Sequence, residues 1–136
     1  MLAPNADTIR LFLHVLSASV WVGGQIVLGV IVPSLRRTHP DATKTVARAF
    51  ARVAWPAFAI VILTGFWNVA EVSVADTTTE YQITLFFKIA LSITSGAAAA
   101  VHQVGRSKAA LAIGGGLGLL AALAAMFLGY LLTTGG

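Results

Sequence analysis

The sequence predicts an all-α integral membrane protein, an up-down-up-down bundle of four transmembrane helices with both termini on the extracytoplasmic side. Three observations predict it: four apolar stretches of spanning length, short connections between them, and cations gathered at one end. The 136 residues suit one domain, here a single transmembrane domain over 1–136. Hydrophobic residues make up 57% and charged ones 10%, where a soluble domain carries about a quarter charged. So few charges cannot keep so apolar a surface in water, and lipid is the expected solvent.

Crossing lipid takes roughly 20 mostly apolar helical residues, and four stretches qualify: about 8–35, 46–71, 80–103 and 107–133. Polar punctuation separates them. Arg36 to Thr43 holds His39 and Pro40, with Asp41 or Thr43 expected to cap the second helix. Ser73 to Thr79 is polar and β-branched, and Gly105-Arg106-Ser107 forms a tight turn. Connections this short make consecutive helices antiparallel neighbours.

Orientation follows from the cations. Arg36, Arg37, Lys44, Arg48 and Arg52 surround the first loop, and Arg106 and Lys108 mark the third. The opposite side has Asp7, Glu71, Asp76 and Glu80, with Arg10 alone against them. Cytoplasmic loops are the ones enriched in Lys and Arg, so loops one and three are expected inside an inner (plasma) membrane. The net charge of +4 thereby reads as a topology signal, and no nucleic-acid partner is expected. Met1 to Asp7 lacks the basic region that opens a secretory signal, and the first apolar span is too long for a signal's core, so it reads as retained.

The absence of cysteine excludes disulfides, thiolate metal sites and cysteine nucleophiles. None of the five Asp and Glu residues lies within a span, which argues against a proton-coupled cation exporter needing an embedded carboxylate. No residue set points to catalysis. The fourth span carries small residues four apart, Gly114 with Gly118 and Ala121 with Ala125. Such spacing lets helix backbones approach closely, within one chain or across a homo-oligomer or larger membrane complex.

The embedded polar residues are His14, Gln25, Asn68, Lys88 and several hydroxyls. Residues 3, 4, 7 and 11 apart share a helix face, so His14, Ser17, Trp21 and Gln25 form one stripe. Lys88, Ser92, Ser95 and His102 form another on the third span. Polar edges in lipid turn toward the protein interior. His14 is about 8 Å from the outer end of its helix, and Lys88 lies at a similar depth. Asn68 and Met126 fall in the outer turns of their helices, so these four are expected in the outer half. His102 is on the order of 20 Å further in, at the inner interface with His39.

Each residue has a packing role and a functional one. His14 can hold helices together through Ser17 or Asn68, or its neutral imidazole can ligate a metal or haem iron. Lys88 can snorkel to the surface along its stem, or partner an anion such as a haem propionate. Met126 is an apolar filler or a thioether ligand. Trp21 packs in the core or against a cofactor ring. Trp67 suits the interfacial aromatic belt equally well.

The stretch HVLSASVWVGG, from His14 to Gly24, places a histidine seven residues before Trp and then a glycine pair. It resembles the first helix of the copper-resistance protein D (CopD) family and that of HemJ-type haem-associated membrane proteins. The likeness continues at Trp55-Pro56-Ala57 with Gly65 and at Phe87-Lys88, so it touches three of the four spans. The resemblance implies that His14 is the ligand position and Lys88 the accompanying lysine. Copper handling is implied by the first family, haem b and porphyrin oxidation by the second.

The expected function is therefore binding of a copper ion or haem b in the outer half. His14 and Met126 are the candidate metal ligands, with Lys88, Trp21 and Asn68 around the cofactor, in metal handling or electron transfer. A cofactor-free structural or accessory subunit is the alternative, and HemJ-like porphyrin oxidation a third.

Overall fold

The computed structural model describes residues 1–135. Among them it holds four long α-helices, one short 3-10 turn and no strand. Helix α1 spans Ala6–Thr38, α2 Pro40–Ala70, α3 Thr79–Val104 and α4 Lys108–Thr134. All four are long and apolar enough to cross a membrane, and at most 28% of any span's apolar window is buried. The remainder faces outward: Phe12, Phe66, Phe86, Leu120 and Phe127 are each more than 60% exposed. Large apolar side chains in that number cannot all face water, which makes this a multi-pass membrane protein.

Local chemistry sets the helix ends. Asn5 opens α1 through a capping box, its Oδ1 accepting from the Thr8 N–H at 2.9 Å while its own N–H donates to Thr8 Oγ1. The helix therefore starts two residues before the apolar run does. At its other end the sequence suggests a loop from Arg36 to Thr43, yet His39 alone separates α1 from α2. Pro40 is the cause. It disfavours helical geometry at the preceding residue, and His39 takes φ −142°, but Pro is pre-organised for the first helical position. Asp41 and Thr43 thus lie inside α2. The expectation that either caps it fails: His39 is the cap residue, with no side-chain hydrogen bond to the helix.

The next connection contains the 3-10 turn Val74–Asp76 and is tied to α3 by Gln82, whose amide donates to the carbonyls of Val74 and Thr77. Thr78 caps α3, and Gly105 ends it. Ser107 caps α4, its Oγ accepting from the Ala110 N–H at 3.0 Å.

The chain divides into two compact units, Met1–Val72 and the part from Ser73 onward. Each is a helical hairpin. In the first, Trp21 meets Trp55 while Gly24 meets Phe50, so contacts move up α1 as they move down α2. Its core is an aromatic cluster: the Trp21 ring centroid lies 4.5 Å from Phe58 and 5.4 Å from Trp55. In the second, small residues replace rings. Gly114 lies against the backbone of Ala98 and His102, and Gly118 against that of Ser95 and Ala99. Ser95, 1% exposed, donates from Oγ to the Gly118 carbonyl at 2.8 Å. Gly114 and Gly118 therefore serve the packing of α4 on α3 within the chain.

Candidate functional site

His14 lies in the third turn of α1, half-buried, with its Nδ1 2.8 Å from Thr64 Oγ1 on α2. The sequence had offered Ser17 or Asn68 as the partner; the hydrogen bond reaches Thr64 instead. Thr64 is itself committed. Its hydroxyl back-bonds to the Ile60 carbonyl at 2.6 Å, with Val61 O at 3.2 Å. A threonine has one hydroxyl proton. With that proton directed at the Ile60 carbonyl, the oxygen accepts, and this arrangement favours His14 Nδ1–H as the donor. The imidazole is thereby held as the Nδ1–H tautomer, with its lone pair on Nε2. This is how the partners behind a metal-ligating histidine fix its ring.

Glycine shapes the adjoining edge of the ring. A Cβ on Gly65 would stand 3.6 Å from His14 Cε1, so the ring lies along the bare backbone of α2. Gly23 has nothing within 4 Å of such an atom, whereas Gly24 receives the Phe50 ring. Of the glycine pair, one residue accommodates an aromatic neighbour and the other borders open space.

Trp21 is 5% exposed within the aromatic cluster, a hairpin-core residue in this structure. Asn68 lies one turn beyond Thr64 on α2, and its Oδ1 is buried with no hydrogen-bond partner. Trp67 is 42% exposed and donates from Nε1 to Glu71 at 3.1 Å, an indole at the end of a span as in an interfacial belt.

Lys88 and Met126 belong to the second hairpin. The Lys88 chain passes over Gly129, with Cε 3.4 Å and Nζ 3.5 Å from where a Cβ would be. Met126, half-buried, is one turn away from Gly129 on α4. The structure thus brings Lys88 to the stretch of α4 that carries Met126, and His14 to the stretch of α2 that carries Asn68. His102 is exposed at the closed end of this hairpin, where Nδ1–H donates to the Leu111 carbonyl at 2.6 Å.

Two residues of the first hairpin carry more than the sequence suggested. Thr64 sets the state of the histidine, and Arg10, four residues before His14, is a buried guanidinium paired to Asp7. The spacing of Arg10, His14, Ser17 and Trp21 puts them on one face, which is the signal that could have found it.

No family model, curated protein or solved structure matches the chain. The fit of a cofactor is accordingly judged on donors. The described residues contain no group of three or more His, Cys, Asp or Glu side chains placed to hold a metal ion. One imidazole of fixed tautomer is the donor the first hairpin offers. A lone imidazole would fit a group that brings its other ligands with it, as haem does, better than it would a bare ion.

Proposed function

We propose that this protein is a membrane haem-binding protein, CopD- or HemJ-like in its first helix, that ligates haem b through Nε2 of His14. The observation that carries the reading is the Thr64 hydrogen bond, which holds His14 in the tautomer a metal requires. The bare Gly65 backbone beside the ring supports it, because a ring held along a helix with no intervening side chain can be approached by a flat group. Bound haem would supply one-electron chemistry, so electron transfer within the membrane is the role that follows. The chain's own residues orient the ligand, and the aromatic cluster around Trp21 holds α1 and α2 at fixed separation.

The test is an absorbance spectrum of the purified protein combined with metal analysis. A Soret band that His14→Ala abolishes supports haem. Stoichiometric copper without a Soret band, lost in the same variant, moves the assignment to the copper ion. Neither band nor copper removes both and leaves the structural or accessory subunit.

A further inference from the structure

Arg10 is 9% exposed, and its Nε and Nη1 are buried without a hydrogen-bond partner. Nη2 alone is engaged, at 2.9 Å from Asp7, whose side chain is 65% exposed. Nε carries one proton and Nη1 two, so three charge-bearing donors are withdrawn from solvent with no acceptor. A buried donor left unmade is costly, more so when the group is ionised. An acceptor placed beside the guanidinium removes that cost.

The hairpin register says where that something lies. His14 and Thr64 are hydrogen bonded across the pair. Arg10 is one turn from His14 toward the open end of the hairpin, about 6 Å along the axis, and Asn68 is one turn from Thr64 in the same direction. Asn68 Oδ1 is also buried and unpartnered. Oδ1 is an acceptor and repels an oxyanion, so at this level it is the Arg10 guanidinium, directly beyond the histidine, that supplies the unmet donors.

The geometry points to an oxyanion-binding subsite built on Arg10, taking a singly charged carboxylate or phosphodiester oxygen. Asp7 already offsets one unit of charge, so a monoanion leaves the ensemble at about one net negative charge, where a dianion would add another beside lipid. Two sources share this chemistry: a propionate of a porphyrin docked at His14, and the phosphate of an anionic lipid. The anion site rests on the buried guanidinium; its assignment to a propionate rests on the proposed function.

The experiment uses the full chain in detergent micelles. In the first arm, haemin and its propionate dimethyl ester are titrated by Soret absorbance into the wild type, Arg10→Gln, Asp7→Asn and His14→Ala. A propionate on Arg10 makes the ester bind the wild type roughly tenfold or more weakly than haemin. That preference vanishes in Arg10→Gln and is retained or widened in Asp7→Asn, which leaves the guanidinium intact. A His14-dependent band with an equal haemin-to-ester ratio in all variants ends the propionate assignment and spares the haem reading. In the second arm, without porphyrin, melting temperatures are compared in phosphatidylglycerol and phosphatidylcholine mixed micelles. A phosphatidylglycerol-specific rise in the wild type and Asp7→Asn, absent in Arg10→Gln and weakened in Arg10→Lys, assigns the site to lipid. If neither pair of ligands is distinguished through residue 10 or residue 7, Arg10 is satisfied within the chain or by water, and the subsite is refuted.

Discussion

The imidazole of His14 and the hydroxyl of Thr64 are joined at 2.8 Å across the first hairpin, and the threonine proton is already directed at the Ile60 carbonyl. The pair links fold to chemistry: one contact ties α1 to α2 and selects the lone pair on Nε2. Thr64→Val keeps the shape and removes the acceptor, leaving an Nδ1–H unmet. Inter-helical hydrogen bonds in membranes average about 0.6 kcal/mol and reach about 1.7. An orphaned donor adds to the loss, so about 1–2 kcal/mol is expected. Thr64→Ser restores most of it. Reversible unfolding in SDS–detergent mixtures measures both, and equal stability of the valine and serine variants would refute the role. If haem binds at His14, the valine variant should also weaken it about 10- to 100-fold.

Gly65 and Gly24 predict opposite tolerances to one methyl group. A Cβ at position 65 meets His14 Cε1 at 3.6 Å, an ordinary contact, so Gly65→Ala should fold with near wild-type stability. Gly65→Leu must displace the imidazole. At position 24 the new atom would fall on the Phe50 ring, 2.7 Å from its Cζ, so Gly24→Ala requires that ring to rotate. Overpacking of this kind costs about 1–3 kcal/mol. Melting temperatures should therefore fall in Gly24→Ala and hold or rise slightly in Gly65→Ala; the reverse order would overturn the packing described for α1 and α2.

The four spans were legible because each is longer than the apolar thickness it must cross, and no soluble fold would leave such rings outward. The connection at His39 is shorter than its polarity suggests, for a physical reason. Arg36, Arg37 and Asp41 read as loop by polarity, yet they belong to helix ends, where polar residues do not interrupt hydrogen bonding. The candidate site was half legible. His14 stands out as an ionisable residue in lipid, but its partner could be chosen only once the register between α1 and α2 was fixed, since Ser17, Thr64 and Asn68 all carry suitable groups. Arg10 is not legible as a site residue, because a charge near a helix end reads as exposed.

The second hairpin makes a sharper packing prediction. A Cβ on Gly114 would meet backbone atoms, His102 N at 2.8 Å and the Ala98 carbonyl oxygen at 2.9 Å, and backbone cannot rotate away. Gly114→Ala must separate α3 from α4 and is expected to lose about 1–3 kcal/mol. Gly116, two residues along, has nothing within 4 Å. Alanine there removes only glycine's conformational freedom and should stabilise by about 0.5–1 kcal/mol. The two variants differ by two positions and no chemistry, so a common shift in unfolding midpoint would show that α4 is not seated on this face.

Orientation gives the last prediction. Seven cations lie about loops one and three, and Arg10 alone stands at the other end. The structure reduces even that one, since Arg10 is buried and paired to Asp7 at 2.9 Å. The seven-to-one bias is therefore the topology signal. Loop one is expected in the cytoplasm and loop two outside. Because the chain has no cysteine, single cysteines can be introduced without background. His39→Cys in the first connection should react with a membrane-impermeant maleimide only after the cells are opened, and Asp76→Cys in the second should react in intact cells. Labelling with the two sites exchanged would invert the topology, placing the His14 end of the first hairpin on the cytoplasmic side, where any haem bound there would exchange electrons with cytoplasmic partners.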